Sequence, residues 1–458
     1  MMPGEKSKTA LGVYPSLSPR SEFFNLFKIK RFLIFTFSQA FSLFGDKLDY
    51  MALLAMIAFL SQKYGWKSAQ AISYLSVVIA LPTIIFGPFA GVLVDRWDKR
   101  KILIFCDIAR ALLVLSIPLL ILEIGNLFLV YLCSFLVFLF GLFFNTARLS
   151  IIPTLVAPKR LLAANSFLNL IGRVATLLGI ILGGLIVDLE FWRRIGIRYT
   201  WSAGFYIDSL SYWISVLALI YVFRSSKKRE REKREPLLVR GRNLLSLAFI
   251  NIKKLFLNLK SAYLLILSSP PVSLTFASLL AFVLIGASVF VLYIPIVQSP
   301  EQMLGLNLGT RGVGFLGGVG SIGLILSSLS YGIFGHRIKK EIIVFFSLFT
   351  LGVITIFSSF IRESLVVFFL AFLGGFFLSP VFIAWDTILQ EEVPAEARGR
   401  IFSTREWLLH FFFGLFAFLL GQLTIFFPKR HLLLAVGVLV TGFSIPFLIG
   451  LITRFRRP

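Results

Sequence analysis

Asp46 and Asp49 are carboxylates one helical turn apart within a largely apolar run from Phe32 to Leu60. Acids in such a setting can carry a proton or hold a cationic ligand. About 20 apolar residues span the ~30 Å hydrocarbon core of a bilayer, which puts Asp46 near mid-depth. A carboxylate there costs on the order of 2.5–3.5 kcal/mol on insertion scales, so such residues turn toward a bundle interior or a wet cavity. With Tyr50 and Arg173, the two acids form the candidate proton and substrate cavity. The alternative is Asp46 hydrogen-bonded inside a helix bundle with no ligand.

Other polar residues in apolar runs bear on the same question. Asp107 and Arg110 have the i,i+3 spacing of an ion pair that could brace the preceding loop or touch substrate. Arg173 could bind an anionic headgroup or pair with an acid across the bundle. Asp208 falls near the outer end of its run, where it would simply be wet. Asp386, Arg398, Arg400 and Arg405 suit an inter-helix network at a polar turn. Gly312-Val-Gly-Phe-Leu-Gly317 has the dinucleotide-binding spacing but lies in an apolar run with no preceding soluble strand, so helix packing explains it better. No P-loop, metal-ligand spacing or nucleophile–base grouping occurs. The chain reads as neither enzyme, metalloprotein nor cofactor carrier.

Positioning such residues requires membrane helices. Hydrophobic residues make up 57% of the 458, Phe alone contributes 51, and charged residues are 15%. Only lipid can act as solvent for that much apolar surface, so the expected fold is all-α and polytopic. The net charge of +24 lies in short segments between apolar runs, which argues against a nucleic-acid groove. Cys106 and Cys133 imply neither a disulfide framework nor a thiolate site. The first 30 residues lack a signal-peptide pattern, so the N-terminus reads as retained.

Periodicity and punctuation predict twelve transmembrane helices near 32–61, 68–94, 102–122, 127–149, 163–188, 201–223, 270–298, 309–334, 342–361, 364–389, 401–427 and 431–452. Tyr64, Trp97, Trp192 and Trp201 fall near the expected membrane boundaries. Most of the 46 Lys and Arg residues lie in the terminal segments, the central linker and alternate loops. The positive-inside rule therefore puts both termini in the cytoplasm. The expected organisation is a cytoplasmic segment 1–30, a six-helix bundle 31–224, a basic linker 225–265 with an amphipathic helix, a second six-helix bundle 266–453 and a tail 454–458. The linker helix would lie at the headgroups as a tether or a regulatory element. Gly91–Arg96 and Gly332–Arg337 echo each other across the halves, as a rocking two-bundle machine requires.

The segment Gly91-Val-Leu-Val-Asp95-Arg96-Trp-Asp-Lys99-Arg100-Lys resembles the 2–3 loop signature of the major facilitator superfamily, G-x-x-x-D-R-x-G-R-K. Gly91 would permit close helix approach. The second glycine of the signature is Asp98 here, and an Asp in left-handed backbone carries a cost. The resemblance implies that this loop, with Asp107, Arg110 and Arg148, latches the halves in an outward-open state, and that Gly332, His336 and Arg337 with Asp386, Arg398, Arg400 and Arg405 form a weaker second gate. Gly179-Ile-Ile-Leu-Gly183-Gly184 is similar to the antiporter signature G-P-x-x-G-G without its proline. Gly45-Asp46, Cys106–Leu113, Ala147–Pro158 and Leu389–Gly399 resemble the macrolide-efflux-like drug exporter branch, which includes siderophore exporters and a lysophospholipid transporter.

The resemblance implies a monomeric secondary transporter in the cell (inner or plasma) membrane, with lipids, protons and a small-molecule substrate as partners. Proton-coupled efflux of an amphipathic compound is the leading reading, and translocation of a lipid or lysophospholipid is the alternative. A scaffold or sensor that transports nothing, recruiting a partner through the linker, is the reading from another class.

Overall fold

A computed structural model of the chain describes residues 26–65, 67–120, 126–157, 160–224, 266–267, 269–299, 306–334 and 338–455. The expected linker helix, His336, Arg337 and nearly all of the N-terminal segment lie outside the described residues. For Asp95, Arg96 and Gly332 the backbone alone is described.

Each predicted run coincides with a helix. These are α1 (Lys30–Tyr64), α2 (Ser68–Arg96), α3 (Lys99–Leu119), α4 (Leu127–Leu155), α5 (Leu161–Ile186), α6 (Ser202–Arg224), α7 (Pro270–Gln298), α8 (Gly309–Phe334), α9 (Lys340–Phe360), α10 (Ser364–Glu392), α11 (Ala395–Leu423) and α12 (Lys429–Phe455). Eleven are long and apolar enough to cross a membrane. The exception is α1, whose apolar run is broken by Asp46, Lys47 and Asp49. Within α7 the residues Val289–Tyr293 widen into a π-turn just before Pro295, whose missing N–H disturbs the regular ladder.

Two local expectations are corrected. Asp98 has φ −67°, so it is not left-handed; its side chain accepts the Arg100 N–H at 3.1 Å and caps α3. Trp201 is only 3% exposed and stacks on Tyr199 at 5.4 Å rather than sitting in an interfacial belt. Trp97 and Tyr64 are exposed.

The six helices before the linker and the six after it share one packing scheme. In the first set α1 packs on α5 and α6, α2 on α4, and α3 on α4 and α6. In the second, α7 packs on α11 and α12, α8 on α10, and α9 on α10 and α12. Each pair recurs six helices later. The halves meet mainly along α5–α8 and α2–α11, two seams related by the same shift.

Glycines let the seams close. A Cβ on Gly184 would lie 2.8 Å from the Gly314 Cα, and one on Gly317 would lie 2.7 Å from Ile180. The G-x-G-x-x-G run is thus a packing surface of α8. The hydrogen bonds seen between the halves lie at mid-depth or on the face opposite the linker. They run from Gln70 Nε2 to Gln422 Oε1 (3.1 Å), Lys67 Nζ to Ile425 O (3.2 Å), Gln298 Nε2 to Leu54 O (3.4 Å), Arg311 N to Asp188 Oδ2 (2.8 Å) and Trp407 Nε1 to Ile84 O (3.1 Å). These contacts hold the two halves together on that far face.

Candidate functional site

Gly45 brings α1 against α6. Its missing side chain leaves room for Asp208 Oδ1 and Ser211 Oγ, both of which a Cβ would overlap. Next along α1, Asp46 Oδ1 accepts the Tyr212 hydroxyl at 2.5 Å and lies 3.6 Å from Arg110 Nη1. Arg110 also pairs with Asp107, one turn earlier on α3. Its guanidinium sits over the rings of Phe144 (4.5 Å) and Tyr212 (4.3 Å), a cation–π clamp from α4 and α6. Ser211 donates to Asp208 at 3.1 Å.

Asp46 and Asp107 therefore flank one fully enclosed guanidinium, and the buried carboxylates of Asp208 and Asp49 adjoin them. Asp107 and Asp208 are 0% exposed, Arg110 3% and Asp49 4%, while the Asp46 side chain keeps 30%. Asp49 Oδ1 and Asp208 Oδ2 have no hydrogen-bond partner among the described residues. Unpaired charge in a low-dielectric interior is costly, so the excess of acid over base demands compensation. Among the described residues no three or more His, Cys, Asp or Glu side chains are grouped to hold a metal ion.

The structure joins residues the sequence kept apart. Asp107 and Arg110, expected as a brace for the 2–3 loop, have Asp46 as a third member. Asp208, expected to be wet, is wholly buried. The signal for it was present: Asp208, Ser211, Tyr212 and Ser215 follow i, i+3, i+4, i+7 spacing on α6, a polar stripe facing the bundle. Tyr50 turns to the second half, its ring 5.5 Å from Phe290 in the π-turn of α7.

A cavity of about 660 Å³ lies at the linker-side end of the α5–α8 seam. Leu43 of α1, Arg148 and Ile152 of α4, Asn165, Asn169, Arg173 and Thr176 of α5, and Ser321 and Ile325 of α8 line it. Arg148 interacts electrostatically with Asp46 and Arg110, and so connects the cavity to the acid cluster.

In the glycine motif of α5, Gly179 packs on Lys47 and the Phe44 carbonyl, Gly183 on Met51, and Gly184 on α8. Gly91 is exposed, and a Cβ there meets nothing within 4 Å among the described residues, so no close helix approach is made at that position. Lys99 and Arg100 are half-buried in the first turn of α3. On the second half, Arg405 pairs with Asp386 and with Glu406 (2.9 Å), Arg398 Nε donates to Val393 O at 3.0 Å, and Arg400 is exposed.

The profile of the Major Facilitator Superfamily matches residues 36–405. The chain is similar to the uncharacterized MFS-type transporter YfiS of Bacillus subtilis, at 25% identity over 375 residues, or 80% of each chain. It is likewise 25% identical over 397 residues to macrolide efflux protein A of Streptococcus pyogenes, covering 83% of this chain and 86% of that one. Among solved structures, a bacterial homolog of the human lysosomal transporter Spinster superposes with a TM-score of 0.65 at 14% identity, covering 92% of this chain and 94% of the other. A bacterial homologue of the iron transporter ferroportin gives 0.64 at 15% identity, with 92% and 98% covered. Those two likenesses speak to the fold. With helices paired six apart around a polar heart and a profile matched over most of its length, the chain belongs to the major facilitator superfamily and is a multi-pass membrane transporter.

Proposed function

We propose that this transporter is a monomeric, proton-coupled exporter of an amphipathic compound, working by alternating access in a plasma membrane. Both termini lie in the cytoplasm, and α1 is the twelfth crossing. The observation that carries the reading is the surplus of carboxylates in the buried cluster that holds Arg110, with Asp46 alone among them partly exposed. A proton taken up there neutralises the surplus, and its release on the other face restores it. The efflux-type relative supports the outward direction. One charge moved through ~100 mV supplies ~2.3 kcal/mol. At ~1.36 kcal/mol per tenfold, that sustains a gradient of roughly fifty-fold.

The test is reconstitution in liposomes with a pH-reporting dye inside. An outward gradient of a fluorescent single-chain amphiphile should drive protons the opposite way, and dye signals equal to protein-free vesicles would end the proposal. The cavity at the α5–α8 seam favours a second reading. Leu149 (65% exposed) and Ile325 (43%) give it an apolar rim suited to a lipid or lysophospholipid. Lipid flipping that persists at equal pH on both sides would select that reading.

A further inference from the structure

We infer that the cavity at the α5–α8 seam selects an anionic group carried on an apolar body, with Arg148 and Arg173 as the residues that hold the anion. This rests on the reading of that cavity as the transport cavity and specifies what it takes. Both guanidiniums line the same space, and neither makes a hydrogen bond or ion pair among the described residues. No described carboxylate lines the cavity with them. The nearest acid by electrostatics, Asp46, already accepts from Tyr212 and sits beside Arg110. Arg148 is therefore left to be shared.

The rest of the lining fits such a ligand. Asn165 and Asn169 supply amide donors one helical turn apart beside Arg173, and Leu168 and Ile325 supply apolar wall. Guanidinium forks pair with carboxylate or phosphate through two parallel hydrogen bonds, which a neutral or cationic group cannot return. The volume suits a ligand of drug or single-chain lipid size. A membrane-embedded arginine commonly runs its alkyl stem along apolar surface to reach headgroups. That use would account for Arg173 alone. It does not account for Arg148, which lines this cavity and feels the charges of Asp46 and Arg110.

The anion could be a lipid headgroup or a free organic acid, and the test separates the two. The full-length protein in neutral detergent is titrated at one pH with three fluorescent probes of equal chain length: a lysophosphatidylglycerol, a fatty carboxylate and a monoacylglycerol. At least one anionic probe should bind about tenfold more tightly than the neutral one. Arg148→Gln and Arg173→Gln should each remove about tenfold of that affinity and leave the neutral probe unchanged. Arg173→Lys should retain part of it. Preference for the lysolipid identifies a headgroup; preference for the fatty carboxylate identifies an organic anion. Raising the salt concentration should weaken only the anionic probes, a readout that needs no variant. Equal binding of all three probes, or anionic binding indifferent to both glutamine variants and to salt, overturns the inference. No proton gradient is present, so a negative result here leaves proton coupling standing, and a failure of proton coupling leaves this result standing.

Discussion

Gly184 of α5 and Gly314 of α8 meet backbone to backbone across the two halves, each leaving no room for a side chain on the other. Gly314→Val places branched carbon where the α5 main chain passes. Overpacking of this kind costs about 1–3 kcal/mol, which shifts a two-state balance by about fivefold or more. The variant should hold the far face open. A cysteine introduced at Gln298, buried at the far end of α7, should then react with a membrane-impermeant maleimide several times faster than in the parent protein. Unchanged labelling would show that the glycine contact does not control closure.

Asp188, just beyond α5, accepts the Arg311 N–H and so ties the first turn of α8 to the first half. Burial pushes its carboxyl above the usual carboxylate range, with the Arg311 N–H and charge pulling partly back. The sealed form thus binds the proton more tightly than an open form with Asp188 in water. Sealing is favoured at low pH and weakens as pH rises through the ordinary Asp range into the raised one, then levels off. Distances between spin labels across the far face should lengthen on that rise, and Asp188→Asn should make the dependence shallower. A pH response unchanged in Asp188→Asn would assign it wholly to another group.

Arg110 is the counter-charge of a closed interior. Arg110→Gln strands Asp107 without its partner, and breaking a buried pair in this way costs about 3–5 kcal/mol. The melting temperature in detergent should fall sharply, and adding Asp107→Asn should recover part of the loss. Equal destabilisation by the single and the double variant would mean that the pair is not what Arg110 stabilises.

The twelve helices were legible because lipid imposes one length on every apolar run, and α1 to α12 follow those runs to within several residues. Gly179, Gly183 and Gly184 were legible as packing positions, but their partners on α1 and α8 were not, since no periodicity states which helix lies opposite. The same holds for Asp208. Its distance to the chain's punctuation points to the wet end of its run, whereas its burial comes from Gly45, more than a hundred and fifty residues earlier. Asp98 stands where the loop signature has glycine, and its side chain serves as a cap instead of the backbone turning left-handed.

Asp46 and an anion in the cavity would draw on the same guanidinium, that of Arg148. Asp46→Asn should therefore tighten binding of the anionic probes, by about threefold to tenfold if the interaction is worth about 1 kcal/mol, as charge pairs near a surface often are. Weaker binding in Asp46→Asn would place the carboxylate on the ligand's side of the balance instead.

The most direct test of the buried acid cluster as the coupling site is proton movement in proteoliposomes containing Asp46→Asn, alongside Asp208→Asn and the parent protein. Asp46→Asn should lose amphiphile-driven proton flux while still exchanging labelled for unlabelled amphiphile at equal pH. Proton flux in Asp46→Asn at the parent rate would contradict the account.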